Sequence, residues 1–140
     1  GWPVVTDRSL EHREYRWVRE QLEQVPAECR VVHLAFAGRR VLLLPTYVGV
    51  ARPAVAMDRR RPASVEAALS PAACRYYVHS SLCSTLEGRP ECDALERRLT
   101  LVPIARASFA DVRTRETFVH DSDWVETWIA RVEDVPDGGR

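Results

Sequence analysis

Cysteines are the residues of this chain whose type and spacing suit chemistry most directly, and there are four, Cys29, Cys74, Cys83 and Cys92. Thiols form disulfides, bind metals or act as nucleophiles. Cys29 and Cys74 stand in the same phrase, Pro-Ala-x-Cys-Arg, and each precedes an apolar, β-prone run. If the two runs are neighbouring parallel strands, about 4.8 Å apart, the two cysteines lie within disulfide distance. We therefore expect a Cys29–Cys74 bridge.

The other two cysteines bracket a short segment, since Cys83 and Cys92 enclose residues 84–91. A second bridge would close this loop. Each bridge would stabilise the fold by roughly 2–4 kcal/mol, with the longer Cys29–Cys74 loop contributing more. Two bridges predict an oxidising compartment.

An alternative use of Cys83 is nucleophilic catalysis. Five residues separate Cys83 from Arg89, the spacing of cysteine-dependent phosphatases, and the segment follows a predicted strand and precedes a predicted helix. Loop amides would hold a phosphate, the helix N-terminus would lower the thiol pKa, and Arg89 would bind the phosphoryl oxygens. Glu87 within the loop and the abundance of arginine weigh against this hypothesis. The alternative function is a small phosphatase or rhodanese-like enzyme using Cys83 and Arg89.

Metal and nucleotide sites are disfavoured by spacing. A zinc site built from Cys74, His79, Cys83 and Cys92 would lack the short paired spacing of structural zinc sites. Gly-x-Gly-x-x-Gly and Walker-type loops are absent from the sequence. We therefore expect no metal and no cofactor.

Two histidines, His33 and His79, stand at similar places in the two strands that follow the Pro-Ala-x-Cys-Arg phrases. They would line a cleft if they meet at the carboxyl ends of the strands, where open α/β sheets bind ligands. The favoured alternative is a pair of half-buried sheet histidines. A further segment, His120-Asp121-Ser122-Asp123, suits a metal or acid–base site but is also typical of an ordinary acidic loop.

The composition excludes several classes of protein. The 140 residues carry 20 basic and 20 acidic side chains, and every basic residue is arginine. A nucleic-acid-binding protein would show a basic excess or stripe, so no nucleic-acid partner is expected. The sequence contains no apolar run of the roughly 18 residues that a membrane span needs. It also lacks a signal-peptide pattern, so we interpret the chain as an excised part of a larger protein.

Periodicity predicts the first elements. A helix with one apolar face formed by Tyr15, Val18, Leu22 and Val25 ends at Pro26. A strand over 30–37, a second apolar run over 41–44, and an irregular, proline-containing stretch over 45–63 follow. A short helix over 64–69 then leads to the strand after Cys74.

The second half of the chain predicts a loop over 80–90, a helix over 91–98, and a strand over 101–109. Pro103 confines that strand to a sheet edge or to its own start. Residues 124–132 predict a last strand. The whole chain, 1–140, is interpreted as one domain, with a linker or juxtamembrane segment over 1–8 and a frayed tail over 134–140. The expected fold is α/β: a small three-layer, mostly parallel open sheet, Rossmann- or flavodoxin-like, with antiparallel C-terminal edge strands.

A resemblance rests on Glu14-Tyr15-Arg16-Trp17-Val18-Arg19, the strand at Cys29-Arg30-Val31-Val32, and the segment with Cys83, Gly88-Arg89-Pro90 and Cys92. These residues resemble the soluble C-terminal domain of bacterial polytopic membrane proteins similar to dolichyl-phosphate-mannose-type glycosyltransferases. The catalytic acids of that family lie in membrane-proximal loops that have no counterpart here, so the resemblance implies no active-site residue.

The resemblance implies an extracytoplasmic domain, tethered to the membrane in its parent protein. The expected function is non-catalytic: a binding or scaffolding module. Its expected partners are the remainder of the parent protein and a carbohydrate or lipid-linked ligand.

Overall fold

A mixed five-stranded sheet organises the protein, in a computed structural model that describes residues 10–34, 54–57, 66–67, 69–86, 88–110 and 124–133. In chain order the elements are α1 (Leu10–Leu22), β1 (Arg30–Leu34), β2 (Ala54–Met57), β3 (Arg75–His79), a 3-10 helix (Ser81–Ser84), α2 (Arg89–Arg98), β4 (Thr100–Ala110) and β5 (Trp124–Glu133). The strand order across the sheet is β2-β1-β3-β5-β4.

Helix α1 covers one face of the sheet. Val18 and Leu22 are fully buried, and Val25, just beyond the helix, is buried as well. They pack against side chains that the strands direct to this face, including Val31 and Ile129. The predicted apolar face of the first helix is confirmed.

The opposite face of the sheet is covered by α2 and the 3-10 helix. Leu95 of α2 and Leu82 of the 3-10 helix join Val32 and Tyr77 in a second apolar core. Alternate residues of β3 therefore face different helices, as the period of two in a strand requires. This arrangement brings α2 next to Tyr77 and His79.

The two strands that follow the Pro-Ala-x-Cys-Arg phrases are parallel neighbours, with Arg30 beside Arg75 in the register. Cys29 and Cys74 form a disulfide with their Cα atoms 4.9 Å apart. Cys83 and Cys92 form the second, with Cα atoms 5.5 Å apart. Both predicted bridges are confirmed.

The arginines of the two phrases, Arg30 and Arg75, bind backbone carbonyl oxygens of the same short segment, residues 67–70. Arg30 Nη1 donates to the carbonyl oxygens of Ala67 and Ser70, at 3.1 and 2.8 Å. Arg75 Nη1 donates to those of Leu69 and Ser70, at 3.2 and 3.3 Å. The last carbonyls of a helical turn lack backbone partners, and cationic side chains satisfy them. The repeated phrase thus provides two arginines that bind the end of the same helical turn, both of them at the carbonyl oxygen of Ser70.

The prediction of a mostly parallel, Rossmann- or flavodoxin-like sheet is wrong. Strands β2, β1 and β3 are parallel, but β5 pairs antiparallel with both β3 and β4. Strands β4 and β5 are the longest of the five, at 11 and 10 residues. Helix α2 leads from β3 to β4, which are not neighbours, so it does not make the crossover between adjacent parallel strands of a Rossmann-like fold. The described architecture is a small α+β fold with a mixed sheet.

Two local expectations had different outcomes. Pro103 lies in β4, at the edge of the sheet, beside a register shift between Pro103 and Ala105, as expected for a proline in a strand. The prediction of an irregular stretch over 45–63 is wrong for Ala54–Met57, because these residues form β2, the strand at the opposite edge of the sheet.

Several predictions fall outside the described residues. They concern the segment 1–8, the apolar run over 41–44 and the tail over 134–140. The short helix predicted over 64–69 is described at Glu66, Ala67 and Leu69, all three with helical backbone.

Candidate functional site

A half-buried polar cluster lies between β3 and α2, and we call it the His79 cluster. Its members are Tyr77, His79, Cys83, Glu96 and Trp128. Tyr77 and His79 share the face of β3 that looks toward α2, since they are two residues apart. The packing of Leu95 into the core beneath α2 brings the neighbouring Glu96 to the same place.

One carboxylate oxygen joins the two β3 side chains. Tyr77 Oη donates to Glu96 Oε2 at 2.7 Å, and His79 Nδ1 lies 2.5 Å from the same oxygen. Because an ionised carboxylate only accepts hydrogen bonds, His79 Nδ1 carries a hydrogen here. Burial, with added repulsion from the Glu96 charge, raises the pKa of Tyr77 far above its ordinary range. Tyr77 therefore remains a hydrogen-bond donor at any physiological pH.

Trp128 of β5 fixes the ring of His79. The two residues are register partners, and their rings stack with centroids 4.8 Å apart and planes at 13°. Tyr77 meets the same indole edge-on, with centroids 5.5 Å apart. The His79 and Glu96 side chains keep 17% and 21% of their surface exposed. The cluster is therefore packed against the sheet through Trp128, and its imidazole and carboxylate remain partly open to solvent.

The second disulfide forms the floor of the cluster. Tyr77 Oη lies 3.8 Å from Cys83 Sγ, and that sulfur is bonded to Cys92 of α2. Ligand atoms of His79, Cys83 and Glu96 all lie within 4.8 Å of one another, the grouping of potential metal ligands found among the described residues. In the disulfide the Cys83 sulfur is not a thiolate, and the thiolate is the form that binds metals.

The phosphatase-like segment lacks the thiolate on which the alternative hypothesis depends. Cys83 has no thiolate, because its sulfur is in the disulfide. The backbone amides of Cys83, Thr85, Gly88 and Arg89 already donate within the segment, to Ser80 O, Leu82 O, Thr85 Oγ1 and Thr85 O respectively. A phosphate would therefore find no thiolate here, and these four amides are already engaged.

The structure does not bring His33 and His79 together. His33 pairs with Val78 in the register, one residue short of His79, so the two histidines point to opposite faces of the sheet. His33 is 1% exposed, and its Nδ1 lies 3.2 Å from the carbonyl oxygen of Leu34. Its Nε2 has no hydrogen-bond partner among the described residues. Burial lowers the pKa of His33 to about 4, so it is neutral near pH 7.

A second polar site fixes α1 to the rest of the fold. Glu14 is 2% exposed, and its carboxylate accepts hydrogen bonds from the amide of Ser81 at 2.6 Å, from Ser81 Oγ at 2.8 Å and from Thr127 Oγ1. One buried acid thus connects α1, the 3-10 helix and β5. Because both carboxylate oxygens of Glu14 already accept hydrogen bonds inside the protein, we assign it a structural role.

Sequence reasoning missed Tyr77, Glu96 and Glu14 as functional candidates. For Glu96 a signal existed, because it follows Cys92 by four residues and so shares a helix face with it. Cys74 takes no part in the cluster, since it is bonded to Cys29. The segment His120-Asp121-Ser122-Asp123 lies outside the described residues.

Two disulfides are typical of proteins that fold in oxidising surroundings. None of the helices within the described ranges is long and apolar enough to cross a membrane. Comparisons with protein-family models, with curated proteins and with solved structures find no match to this chain.

Proposed function

We propose that this chain is a disulfide-stapled extracytoplasmic module of a larger bacterial membrane protein, with a non-catalytic binding or scaffolding role. The observation that carries the proposal is the pair of bridges, which use all four cysteines and leave no free thiol. Such bridges persist in oxidising compartments and are rare where glutathione and thioredoxin keep thiols reduced.

The contacts within the His79 cluster support a non-catalytic role. Glu96 Oε2 accepts hydrogen bonds from Tyr77 and His79. The adjacent sulfur of Cys83 is in a disulfide with Cys92. Nucleophilic catalysis by cysteine needs a thiolate.

The resemblance to dolichyl-phosphate-mannose-type glycosyltransferases supports the choice of partners: the remainder of the parent protein and a carbohydrate or lipid-linked ligand. Trp124, 63% exposed, offers an aromatic surface for such a ligand. Titration with a polyprenyl-linked sugar should give a saturable change in tryptophan fluorescence that Trp124→Phe removes. A flat titration would count against this ligand class.

The experiment that tests the proposed location is a free-thiol count on non-reduced protein, alkylated at lysis and mapped by mass spectrometry. The protein should be taken from cells that export it and, in parallel, from cells that retain it in the cytoplasm. We expect linked peptides for Cys29–Cys74 and for Cys83–Cys92 in the exported protein only. Four free thiols in the exported protein, with native thermal stability, would overturn the proposal.

A further inference from the structure

The Cys83–Cys92 disulfide covers a set of metal ligands that its reduction would release. We propose that the reduced chain binds one zinc-class divalent cation at the His79 cluster, through two thiolates, one imidazole nitrogen and one carboxylate oxygen. The four ligands are Cys83, Cys92, His79 and Glu96. This inference concerns the reduced chain and does not depend on the scaffolding role.

The distances suit a tetrahedral ion. The ligand atoms of His79, Cys83 and Glu96 lie within 4.8 Å of one another. With metal–ligand distances of about 2.0 to 2.3 Å, neighbouring ligands of a tetrahedral zinc site are roughly 3.3–3.8 Å apart. The widest separation, at most 4.8 Å, has to shorten by about an ångström. His79 Nδ1 and Glu96 Oε2, which are hydrogen-bonded at 2.5 Å, have to move apart by about as much. Cys92 Sγ is bonded to Cys83 Sγ, so reduction leaves it beside the first thiolate, and it then has to turn toward His79 and Glu96 to become the fourth ligand.

The elements present the ligands in two pairs. Cys92 and Glu96 are four residues apart on α2 (Arg89–Arg98) and so lie on one helix face. His79 ends β3, and Cys83 follows it by four residues in the 3-10 helix. Each pair comes from a short rigid stretch, and both stretches are packed in one apolar core.

The surroundings complete the site. Tyr77 Oη donates to Glu96 Oε2, and such a contact orients a ligating carboxylate. Trp128 stacks on the imidazole of His79. Cys83 and Cys92 are 3% and 1% exposed, whereas His79 and Glu96 retain some exposure. An ion would therefore enter past the imidazole and the carboxylate and reach the thiolates last.

The redox step balances as a thiol–disulfide exchange. A dithiol reductant, such as a thiol–disulfide oxidoreductase, gives two electrons and two protons to the Cys83–Cys92 bond and becomes a disulfide itself. The S–S bond breaks and two thiols form. Metal binding then releases the two thiol protons, since only thiolates ligate. The ligating nitrogen of His79 also has to be free of hydrogen, so ligation through Nδ1 moves its hydrogen to Nε2. Oxidation by a disulfide reverses the sequence and expels the ion.

The other disulfide makes an internal control. Cys29 and Cys74 are flanked by Arg30 and Arg75, which bind helix carbonyls rather than metals. The described residues place no His or acidic side chain with them in a candidate metal group. Zinc should therefore leave the thiols of Cys29 and Cys74 unprotected from alkylation.

The test uses the whole chain, reduced with a phosphine under nitrogen and then titrated with Co²⁺ and Zn²⁺. We expect one Co²⁺ per chain with thiolate-to-cobalt charge-transfer absorption, displaced by Zn²⁺. Zn²⁺ should slow alkylation of Cys83 and Cys92 but not of Cys29 and Cys74, as read by peptide mapping.

The diagnostic variant is Glu96→Gln, and its matched control is Asp93→Asn, which changes the same charge at an exposed position of the same helix. Glu96→Gln should weaken zinc binding about tenfold or more, whereas Asp93→Asn should leave it within about twofold. Equal binding by the two variants, or equal protection of all four thiols, would overturn the proposal. So would a reduced chain that loses its circular dichroism and regains no order with zinc.

Discussion

At the scale of the residue, Glu14 shows how much one buried side chain can connect. It accepts hydrogen bonds from Ser81 and Thr127, and hydrogen bonds to a charged group contribute about 1.5–3 kcal/mol each. In Glu14→Gln an amide group would replace one accepting oxygen and face donors. We expect the variant to lower the free energy of unfolding by about 2–3 kcal/mol in urea denaturation.

The control for this variant is Glu20→Gln, at an exposed position of the same helix. It makes the same chemical change without buried partners, and a surface substitution of this kind changes stability by about 0.5 kcal/mol or less. Equal losses in the two variants would show that helix propensity, and not the buried contacts, sets the effect.

His33 makes a prediction about pH. Because burial lowers its pKa from 6.5 to about 4, the folded state binds fewer protons than the unfolded state between these values. The stabilisation is fully present above the unfolded pKa and is lost as the pH falls through this window. From about pH 7 to about pH 5 we expect the free energy of unfolding to fall by about 2 kcal/mol on this account.

Urea denaturation at both pH values, on the natural chain and on His33→Leu, measures the effect. Leucine fills a similar buried volume and does not titrate. On going from pH 7 to pH 5, the free energy of unfolding should therefore fall by about 2 kcal/mol less in His33→Leu than in the natural chain. The same pH dependence in both proteins would place the titrating group elsewhere.

At the scale of the element, Gly88 fixes how the 3-10 helix meets α2. A Cβ at this position would lie 2.0 Å from the carbonyl oxygen of Leu82 and 3.0 Å from a methyl carbon of Leu34. A backbone oxygen cannot rotate away, so Gly88→Ala has to move one element against the other. We expect a loss of about 1–3 kcal/mol in thermal or urea denaturation.

The comparison for Gly88→Ala is Ser84→Ala, a half-buried position of the same segment. Its smaller side chain introduces no clash, and we expect little change in the melting temperature. A Gly88→Ala protein with the stability of the natural chain would mean that the close approach to Leu82 is relieved at no cost.

The elements also show where sequence reasoning succeeds and where it ends. The face formed by Val18, Leu22 and Val25 was predictable because the apolar spacing is local. Pro103 marked an edge strand because proline cannot donate to a central ladder. The parallel pairing of the two Cys-Arg strands was predictable because the phrase repeats.

What remained hidden depends on residues far apart in the chain. The sheet order places β5 between β3 and β4, and no local pattern encodes that insertion. The offset between His33 and His79, by contrast, was readable from the sequence. His33 follows Cys29 by four residues and His79 follows Cys74 by five, so His33 pairs with Val78. The candidate site was hidden in the same way as the sheet order, since Tyr77 and Glu96 meet across 19 residues.

At the scale of the whole molecule, the two disulfides should contribute unequally. They span 45 and 9 residues, and loop-closure entropy gives about 4 kcal/mol for the longer and about 3 kcal/mol for the shorter. We therefore expect Cys29→Ala/Cys74→Ala to lower the free energy of unfolding more than Cys83→Ala/Cys92→Ala. Urea denaturation of the two double variants gives the answer, and a larger loss from opening the shorter loop would contradict it.

The longer bridge also decides how the molecule would respond to tension. A pull applied near residues 10 and 133 passes directly from Cys29 to Cys74, so β1 and β2, which lie between them, carry no load. About 160 Å of contour length, from about 3.5 Å for each of the bridged residues, stays locked even after the sheet has come apart. A domain anchored between moving partners would thus lengthen first by the chain outside the two disulfide loops, and only a reductant would release the length held inside them.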